Sequence, residues 1–324
     1  MPYAMIAPQP GAADVLTRVE IELSAPGTGE VQVRHAAVGL NFLDVYYRSG
    51  TYVWPVAKDL IVGSEAACVV ERLGPDVTGL AIGDRVAYTM PTGAYASHRN
   101  ISRDAVVKVP DGVGDEDAAS SLLKGLTAYY LLHESFKVKR GDTVLFHAAA
   151  GGVGSIAGQW LSHLGATAIG TAGGAAKCDA ARRSGFQHVI DYGSEDFVDR
   201  VKAITGGLGV DAVFDSVGAD TYPGSLKCLK AFGTLICFGQ SSGPIRNLAI
   251  SDLAAGSFFL TRPVLFHFTR NRAWLEKAAA ALFDMIASGR LSRFAGETYP
   301  LDRVAEAHRK LENRDTTGSV VLVP

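Results

Sequence analysis

The rhythm of apolar and polar positions changes twice along the chain. Up to residue 122, short apolar runs are bounded by Gly, Pro or Asp: VQVRHAAVGL (31–40), GDRVAY (83–88), GAYASHRNI (93–101) and VVKVP (106–110). Runs of this length and punctuation predict short strands of a compact, barrel-like β domain. From residue 123 the texture becomes alternating. The fully apolar run TVLFH (143–147) and the short apolar runs TAIGT (167–171), HVIDY (188–192), DAVFDSVG (211–218) and GTLICFG (233–239) are separated by amphipathic stretches such as SEDFVDRVKAIT (194–205). Buried strands alternating with helical patterns predict a parallel, doubly wound α/β sheet. After residue 262, RNRAWLEKAAAALFDMIASG (270–289) has helical spacing and a stop at Gly289. LDRVAEAHRKLENR (301–314) follows, and GSVVLVP (318–324) reads as a closing strand. A strand this apolar needs neighbours, and the first domain is the expected host. The expected organisation is therefore a domain made of 1–122 and 263–324, with 123–262 inserted between its halves.

Composition narrows the function. A chain of 324 residues that is 48% hydrophobic has enough material for two cores. A net charge of −2 offers no basic field for nucleic acid or an anionic membrane. The N-terminal MPYAMIAPQPG has neither the basic nor the apolar region of an export signal, and no apolar run is long enough to span a bilayer. Cys68, Cys178, Cys228 and Cys237 are isolated, without a C-x-x-C pair. They read as buried small hydrophobes in a reducing compartment, so the cytoplasm is the expected location.

The candidate chemistry begins at HAAAGGVGSIAGQW (147–160), between an apolar strand and a helical stretch. Glycines there let a backbone approach a pyrophosphate, while the helix N-terminus supplies free N–H groups. Ala149, Gly151 and Gly154 stand at the three positions of the dinucleotide fingerprint, with Gly152 additional. An alanine at the first position requires that residue 149 avoid left-handed geometry. An NAD site places a carboxylate at the end of the second strand for the ribose hydroxyl. Here TAIGTAGGAAK (167–177) contains none, and its first charge is Lys177. Small Gly173 and Gly174 followed by a lysine suit a 2′-phosphate, so NADPH is the expected cofactor.

The ordered motifs GLNFLD (39–44), GSEAACVVERLG (63–74), GDRV (83–86), KGLTAYYLL (124–132), HAAAGGVG, DSVG (215–218) and LTRP (260–263) extend along essentially the whole chain. Together they resemble the medium-chain dehydrogenase/reductase superfamily, and within it the zeta-crystallin-like NADPH:quinone oxidoreductases. The resemblance implies a Rossmann-type sheet inserted into a GroES-like, mostly β substrate domain. Where zinc-dependent members carry a ligating cysteine and histidine, this chain has Asn41 and Ser64. The stretch MPTGAYASHRN (90–100), where the structural-zinc cysteines of such members belong, has no cysteine. No metal is expected, because amide and alcohol side chains are poor zinc ligands.

Without a Lewis acid, acceptors that simply take hydride fit better than alcohols. The resemblance implies Asn41, Tyr46 and Tyr52 beside nicotinamide and substrate, with Arg262 a further pocket residue. Asn41 is expected to orient, Tyr46 or Tyr52 to hydrogen-bond or stack on a quinone, and Asp44 to fix the local turn. Cofactor contacts are implied from Thr127, Gly152, Val153, Gly173, Lys177, Tyr192, Ser216, Phe238, Ser241 and Arg314; Gly151 to Val153 and Lys177 also follow from the residues themselves. His133 and His147 read as ordinary fold positions. The leading expectation is NADPH-dependent reduction of quinones or another electrophilic acceptor, and the second is an alkenal or enone double-bond reductase. A third reading, an NADPH-binding protein with an RNA-binding or structural role, lacks the basic stripe it needs. A homodimer is expected, joined through apolar edge segments such as GTLICFG and GSFFLTRP.

Overall fold

The computed structural model describes residues 1–292, 295–313, 315–316 and 318–324. The chain divides into two units, Met1–Leu123 with Asn271–Pro324, and Lys124–Arg270. The second is thus inserted in the sequence of the first.

The first unit is mostly β. It begins with β1 (Tyr3–Ala7), β2 (Thr17–Glu20) and β3 (Glu30–Gly39), then a short helix, α1 (Phe42–Arg48). Strands β4 (Leu60–Ile61), β5 (Glu65–Leu73), β6 (Arg85–Thr89), β7 (His98–Ser102) and β8 (Val106–Lys108) follow, and helix α2 (Asp115–Tyr130) leads on. β3 pairs antiparallel with both β5 and β7, which makes it the spine of the larger sheet. Val31, Val33 and Val38 on β3, Ala66, Cys68 and Val70 on β5, and Val86 and Tyr88 on β6 fill one core. Only the second half of GAYASHRNI pairs with β3 as a strand. Ahead of it, Gly93 and Ala94 donate to the Gly63 carbonyl and Tyr95 to that of Val62, so the backbone bonds of that half are spent elsewhere.

The inserted unit holds a parallel sheet. Strands β9 (Thr143–Phe146), β10 (Thr167–Ala172), β11 (His188–Asp191), β12 (Val210–Asp215) and β13 (Leu229–Cys237) are joined in turn by α3 (Gly152–Leu164), α4 (Ala175–Arg183), α5 (Phe197–Ile204) and α6 (Tyr222–Cys228). β14 (Phe259–Thr261) completes the order β11-β10-β9-β12-β13-β14. That is the doubly wound Rossmann order, which reverses between β9 and β12. Leu145, Ile169, Ile190, Val213 and Leu235 pack together from five neighbouring strands.

The chain then returns to the first unit after α7 (Leu265–Thr269), with α8 (Arg272–Ala287), β15 (Ala295–Pro300), α9 (Val304–Glu312) and β16 (Ser319–Val323). α8 stops as its sequence indicates, with Gly289 at φ 71°. β16 pairs antiparallel with the end of β3 and parallel with β15. All four cysteines are buried and unpaired. No described helix is long and apolar enough to cross a membrane.

Candidate active site

In the inserted unit the expected cofactor residues gather at the C-terminal ends of the parallel strands. Gly151 to Val153 follow β9, Gly173 follows β10, Tyr192 follows β11, Ser216 follows β12, and Phe238 and Ser241 follow β13. This is where an open α/β sheet binds ligands, outside its strand ends at the topological switch point. Helix α3 opens at the loop. Its first bond runs from Ser155 N–H to the Gly151 carbonyl at 2.8 Å, which leaves the N–H groups of Gly152, Val153 and Gly154 pointing forward. A Cβ on Gly154 would lie 2.5 and 2.6 Å from the carbonyl oxygens of Ala148 and Ala149, so only glycine fits under this turn. The left-handed residue of the loop is Ala148, at φ 55°, one position before the fingerprint. Ala149 escapes that geometry and is anchored through its N–H to the Thr171 carbonyl at 2.9 Å.

Around the second strand end, a Cβ on Gly173 would come within 2.6 Å of the Tyr192 hydroxyl oxygen, so the two are in direct contact. Asp191 accepts the N–H groups of Gly174 and Gly193 at 2.9 and 3.0 Å and holds the turn; these bonds lower its pKa. Lys177 lies exposed in the first turn of α4. Further along the edge, Ser241 N–H donates to the Ser216 carbonyl at 3.1 Å and Phe238 N–H to that of Asp215 at 2.8 Å, which brings the loops after β12 and β13 together. Thr127 is buried on α2, and Arg262 is exposed. Arg314 lies outside the described residues.

Sequence reasoning passed over the polar core under this edge. Thr171 donates to His147 Nδ1 (2.9 Å), His147 Nε2 to Ser225 Oγ (3.0 Å), and Ser225 to Asp215 Oδ2 (2.9 Å). Asp215 also accepts the N–H groups of Val217 and Gly218 at 2.8 and 3.0 Å. Burial pushes the His147 pKa down. The imidazole at the end of β9 therefore serves as a neutral tie to β10 and to α6, and through Ser225 to β12.

In the first unit, Asn41, Tyr46 and Tyr52 belong to α1 and its flanks. Asn41 is buried; its Nδ2 donates to Glu65 Oε2 at 2.8 Å and more weakly to the Gly39 carbonyl at 3.4 Å. Its amide donors are therefore committed to Glu65 and the Gly39 carbonyl. Tyr46 and Tyr52 are half-buried, with ring centroids 5.3 Å apart; Phe42 lies 6.5 Å from Tyr46 and Tyr47 5.7 Å from Tyr52. Neither the Tyr46 nor the Tyr52 hydroxyl has a hydrogen-bond partner among the described residues. Burial and the neighbouring Tyr52 raise the Tyr46 pKa, so it keeps its proton. Asp44 fixes the local turn, as its Oδ2 accepts Asn41 N–H at 2.8 Å. It does more than that, because Ser64 Oγ (2.7 Å) and Tyr95 Oη (3.1 Å) also donate to its carboxylate. Burial pushes the Asp44 pKa up to about 6 against these bonds.

A family profile described as "Alcohol dehydrogenase GroES-like domain" matches residues 27–111, and one described as "Zinc-binding dehydrogenase" matches 184–322. The residues present do not suit the metal in the second description. Asn41 and Ser64 are hydrogen-bonded to carboxylates, and among the described residues no three His, Cys, Asp or Glu side chains gather to hold an ion. The chain is 43% identical to the 2-haloacrylate reductase of a Burkholderia species over 333 residues, covering 100% of this chain and 99% of the relative. It is 44% identical over 318 residues to quinone oxidoreductase 1 of Escherichia coli strain K12, covering 97% of each. The crystal structure of Escherichia coli quinone oxidoreductase complexed with NADPH matches with a TM-score of 0.95 at 42% identity, covering 99% of this chain and 100% of that one. A switch-point nucleotide edge in one unit and a carboxylate-backed aromatic site in the other define an oxidoreductase with a Rossmann-type and a GroES-like domain. The chain belongs to the quinone oxidoreductases of the medium-chain dehydrogenase/reductase superfamily.

Proposed function

We propose that the chain is an NADPH-dependent, metal-free quinone reductase. The observation that carries this reading is the Tyr46–Tyr52 pair, two aromatic rings 5.3 Å apart whose hydroxyls are uncommitted. When bound, NADPH supplies a hydride from its nicotinamide. The N–H groups of Gly152 and Val153, after the Gly151 turn, receive the pyrophosphate. Lys177, with Tyr192 over Gly173, holds the 2′-phosphate, and Thr127, Ser216, Phe238 and Ser241 line the remainder. On the other unit, Tyr46 and Tyr52 stack on a planar quinone and donate to its oxygens, where negative charge develops as hydride arrives. One proton from water completes the hydroquinone. Burial and the neighbouring Tyr52 raise the Tyr46 pKa, so it keeps its proton and is available as a hydrogen-bond donor.

The 43% identity to a 2-haloacrylate reductase favours a second reading, hydride addition to an activated carbon–carbon double bond. The same hydroxyls would serve its carbonyl or carboxylate oxygen. Steady-state oxidation of NADPH and of NADH, with 1,2-naphthoquinone, an α,β-unsaturated ketone and 2-chloroacrylate in parallel, separates the two. Turnover is expected with the quinone and with NADPH preferred. Failure with every simple quinone sinks the leading reading, and activity confined to the alkenes selects the second.

The protein works as a homodimer in this reading. Among the described residues β14 ends its sheet with one edge unpaired, and Phe259 on it and Phe232 on neighbouring β13 are 61% and 71% exposed. Sedimentation is expected to give a dimer, and Phe259→Lys a monomer. A cytoplasmic location fits four buried, unpaired thiols.

A further inference from the structure

A chain of polar side chains, buried except for Glu312 at its outer end, crosses the first unit from α9 to Asn41. The Arg48 guanidinium, 2% exposed, donates through Nη1 and Nη2 to the Glu312 carboxylate at 2.9 and 2.7 Å. Its Nε donates to the Gly11 carbonyl at 3.1 Å, and Nη1 also reaches His308 Nδ1 at 2.9 Å. His308 Nε2 lies 2.8 Å from Tyr95 Oη, and Tyr95 reaches Asp44.

The direction of every link follows from the first. A guanidinium has no acceptor, so His308 Nδ1 must accept and the ring hydrogen sits on Nε2. Tyr95 Oη then accepts that hydrogen and gives its own to Asp44. Ser64 Oγ and Asn41 N–H converge on the same carboxylate, so a run of donors that starts at a cation ends on an acceptor-only anion. Burial, with Arg48 beside it, holds the His308 pKa down to about 3, so the imidazole stays neutral and its tautomer fixed. The ionisable groups facing Asp44 are Tyr95 and Tyr47, Tyr88 on β6, Glu65 across on β5, whose charge opposes its ionisation, and Arg48 and His308 beyond Tyr95. Removing a donor from a buried carboxylate leaves its charge less compensated and favours the protonated form.

We propose that Arg48, His308 and Tyr95 are positioning residues for the reduction, which keep the Asp44 carboxylate ionised beneath Asn41 and Ser64. Ser64 then spends its hydrogen on Asp44, and Asn41 is held with its amide donors toward Glu65. Both side chains are buried and have their hydrogens spent on carboxylates. The donors to an acceptor's carbonyl oxygens are left to Tyr46 and Tyr52. The inference rests on the quinone-reductase reading for its kinetic readout, but the state of Asp44 can be read without turnover.

The test compares the unaltered protein with Tyr95→Phe, His308→Leu and His308→Gln. Measurements are kcat with 1,2-naphthoquinone, KM for NADPH, thermal melting, and the Asp44 carboxyl resonance as a function of pH in protein labelled with 13C-aspartate. Tyr95→Phe and His308→Leu are expected to lower kcat about tenfold with KM for NADPH nearly unchanged, and to move the Asp44 titration up by about one pH unit. Glutamine can both accept from Arg48 and donate to Tyr95, so His308→Gln is expected to recover most of both effects. An unmoved titration in Tyr95→Phe, or equal losses in the two His308 variants, overturns the proposal. Should Tyr95→Phe not fold, the His308 pair carries the comparison. An unaltered protein that reduces no quinone fells the functional reading instead, and the titration still decides this one.

Discussion

His35 makes the first unit acid-labile by a calculable amount. It sits buried on β3, with Nδ1–H donating to the Ala96 carbonyl at 2.6 Å and Nε2 accepting from the Tyr88 hydroxyl at 2.8 Å. Both ring nitrogens are satisfied in the neutral form. Burial and then the nearby Arg99 push its pKa from 6.5 down to about 3. Below its ordinary pKa the unfolded chain takes up a proton that the folded chain refuses, so stability is present above about pH 6.5 and drains away toward pH 3. Each pH unit in that window is worth about 1.4 kcal/mol. Acidification from about pH 7.5 to about pH 5 therefore costs about 2 kcal/mol through His35 alone. His308, held down to about 3, adds a similar loss. Asp44 works in the opposite sense, because its raised pKa of about 6 lets the folded state gain a proton first as pH falls. His35→Gln keeps a donor and an acceptor but cannot titrate. Urea unfolding at the two pH values, with hydrogen-exchange mass spectrometry of β3 and β9 peptides to report each unit, measures the difference. The variant is expected to lose about 2 kcal/mol less than the parent in β3 on acidification, whatever its stability at neutral pH. Equal losses in both proteins would refute the buried-neutral assignment.

Other consequences are as direct. Lys177→Ala is expected to raise KM for NADPH by about tenfold or more and to leave KM for NADH nearly unchanged, because one charge-assisted contact is worth roughly 1.5–3 kcal/mol. Gly173→Ala, whose methyl would meet the Tyr192 hydroxyl oxygen at 2.6 Å, is expected to weaken NADPH binding in fluorescence titration through displacement of that ring. Gly154→Ala drives a methyl into two backbone carbonyls that cannot retreat, so a fall in melting temperature with loss of NADPH binding is expected. Exhaustive dialysis against a strong chelator is expected to leave quinone turnover intact, since Asn41 and Ser64 are committed to carboxylates; metal-restorable loss would contradict that donor set.

What was legible in the sequence was what depends on neighbours in the chain. The parallel strands declared themselves as short apolar runs, buried on both faces in β9, β10 and β12, and the glycine loop because its spacing serves one backbone geometry. Even there the strained residue is Ala148, not the fingerprint position, since a left-handed φ leaves no mark on an alanine's identity. GAYASHRNI looked like one strand because local pattern cannot say where backbone bonds go; Gly93 to Tyr95 spend theirs on Gly63 and Val62. The Arg48–His308 contact joins residues 260 positions apart, and no spacing rule announces it. A lone histidine in an amphipathic helix and an arginine at the end of another are unremarkable until the fold brings the two helices together.

The pairing of Gly39 with Val321 also sets an order of events during synthesis. β3 leaves the ribosome long before the strand that completes its sheet, and the whole of Lys124–Arg270 is made in the interval. The inserted unit's strands are all sequentially close, so it can close while its host is still two strands short, β15 and β16. Until β16 arrives, the end of β3 offers open backbone groups to any passing strand, and His308 and Glu312 have not yet reached Arg48. Chaperone dependence in the cell would then track the rate at which the C-terminal segment is delivered, more than the stability of the finished protein.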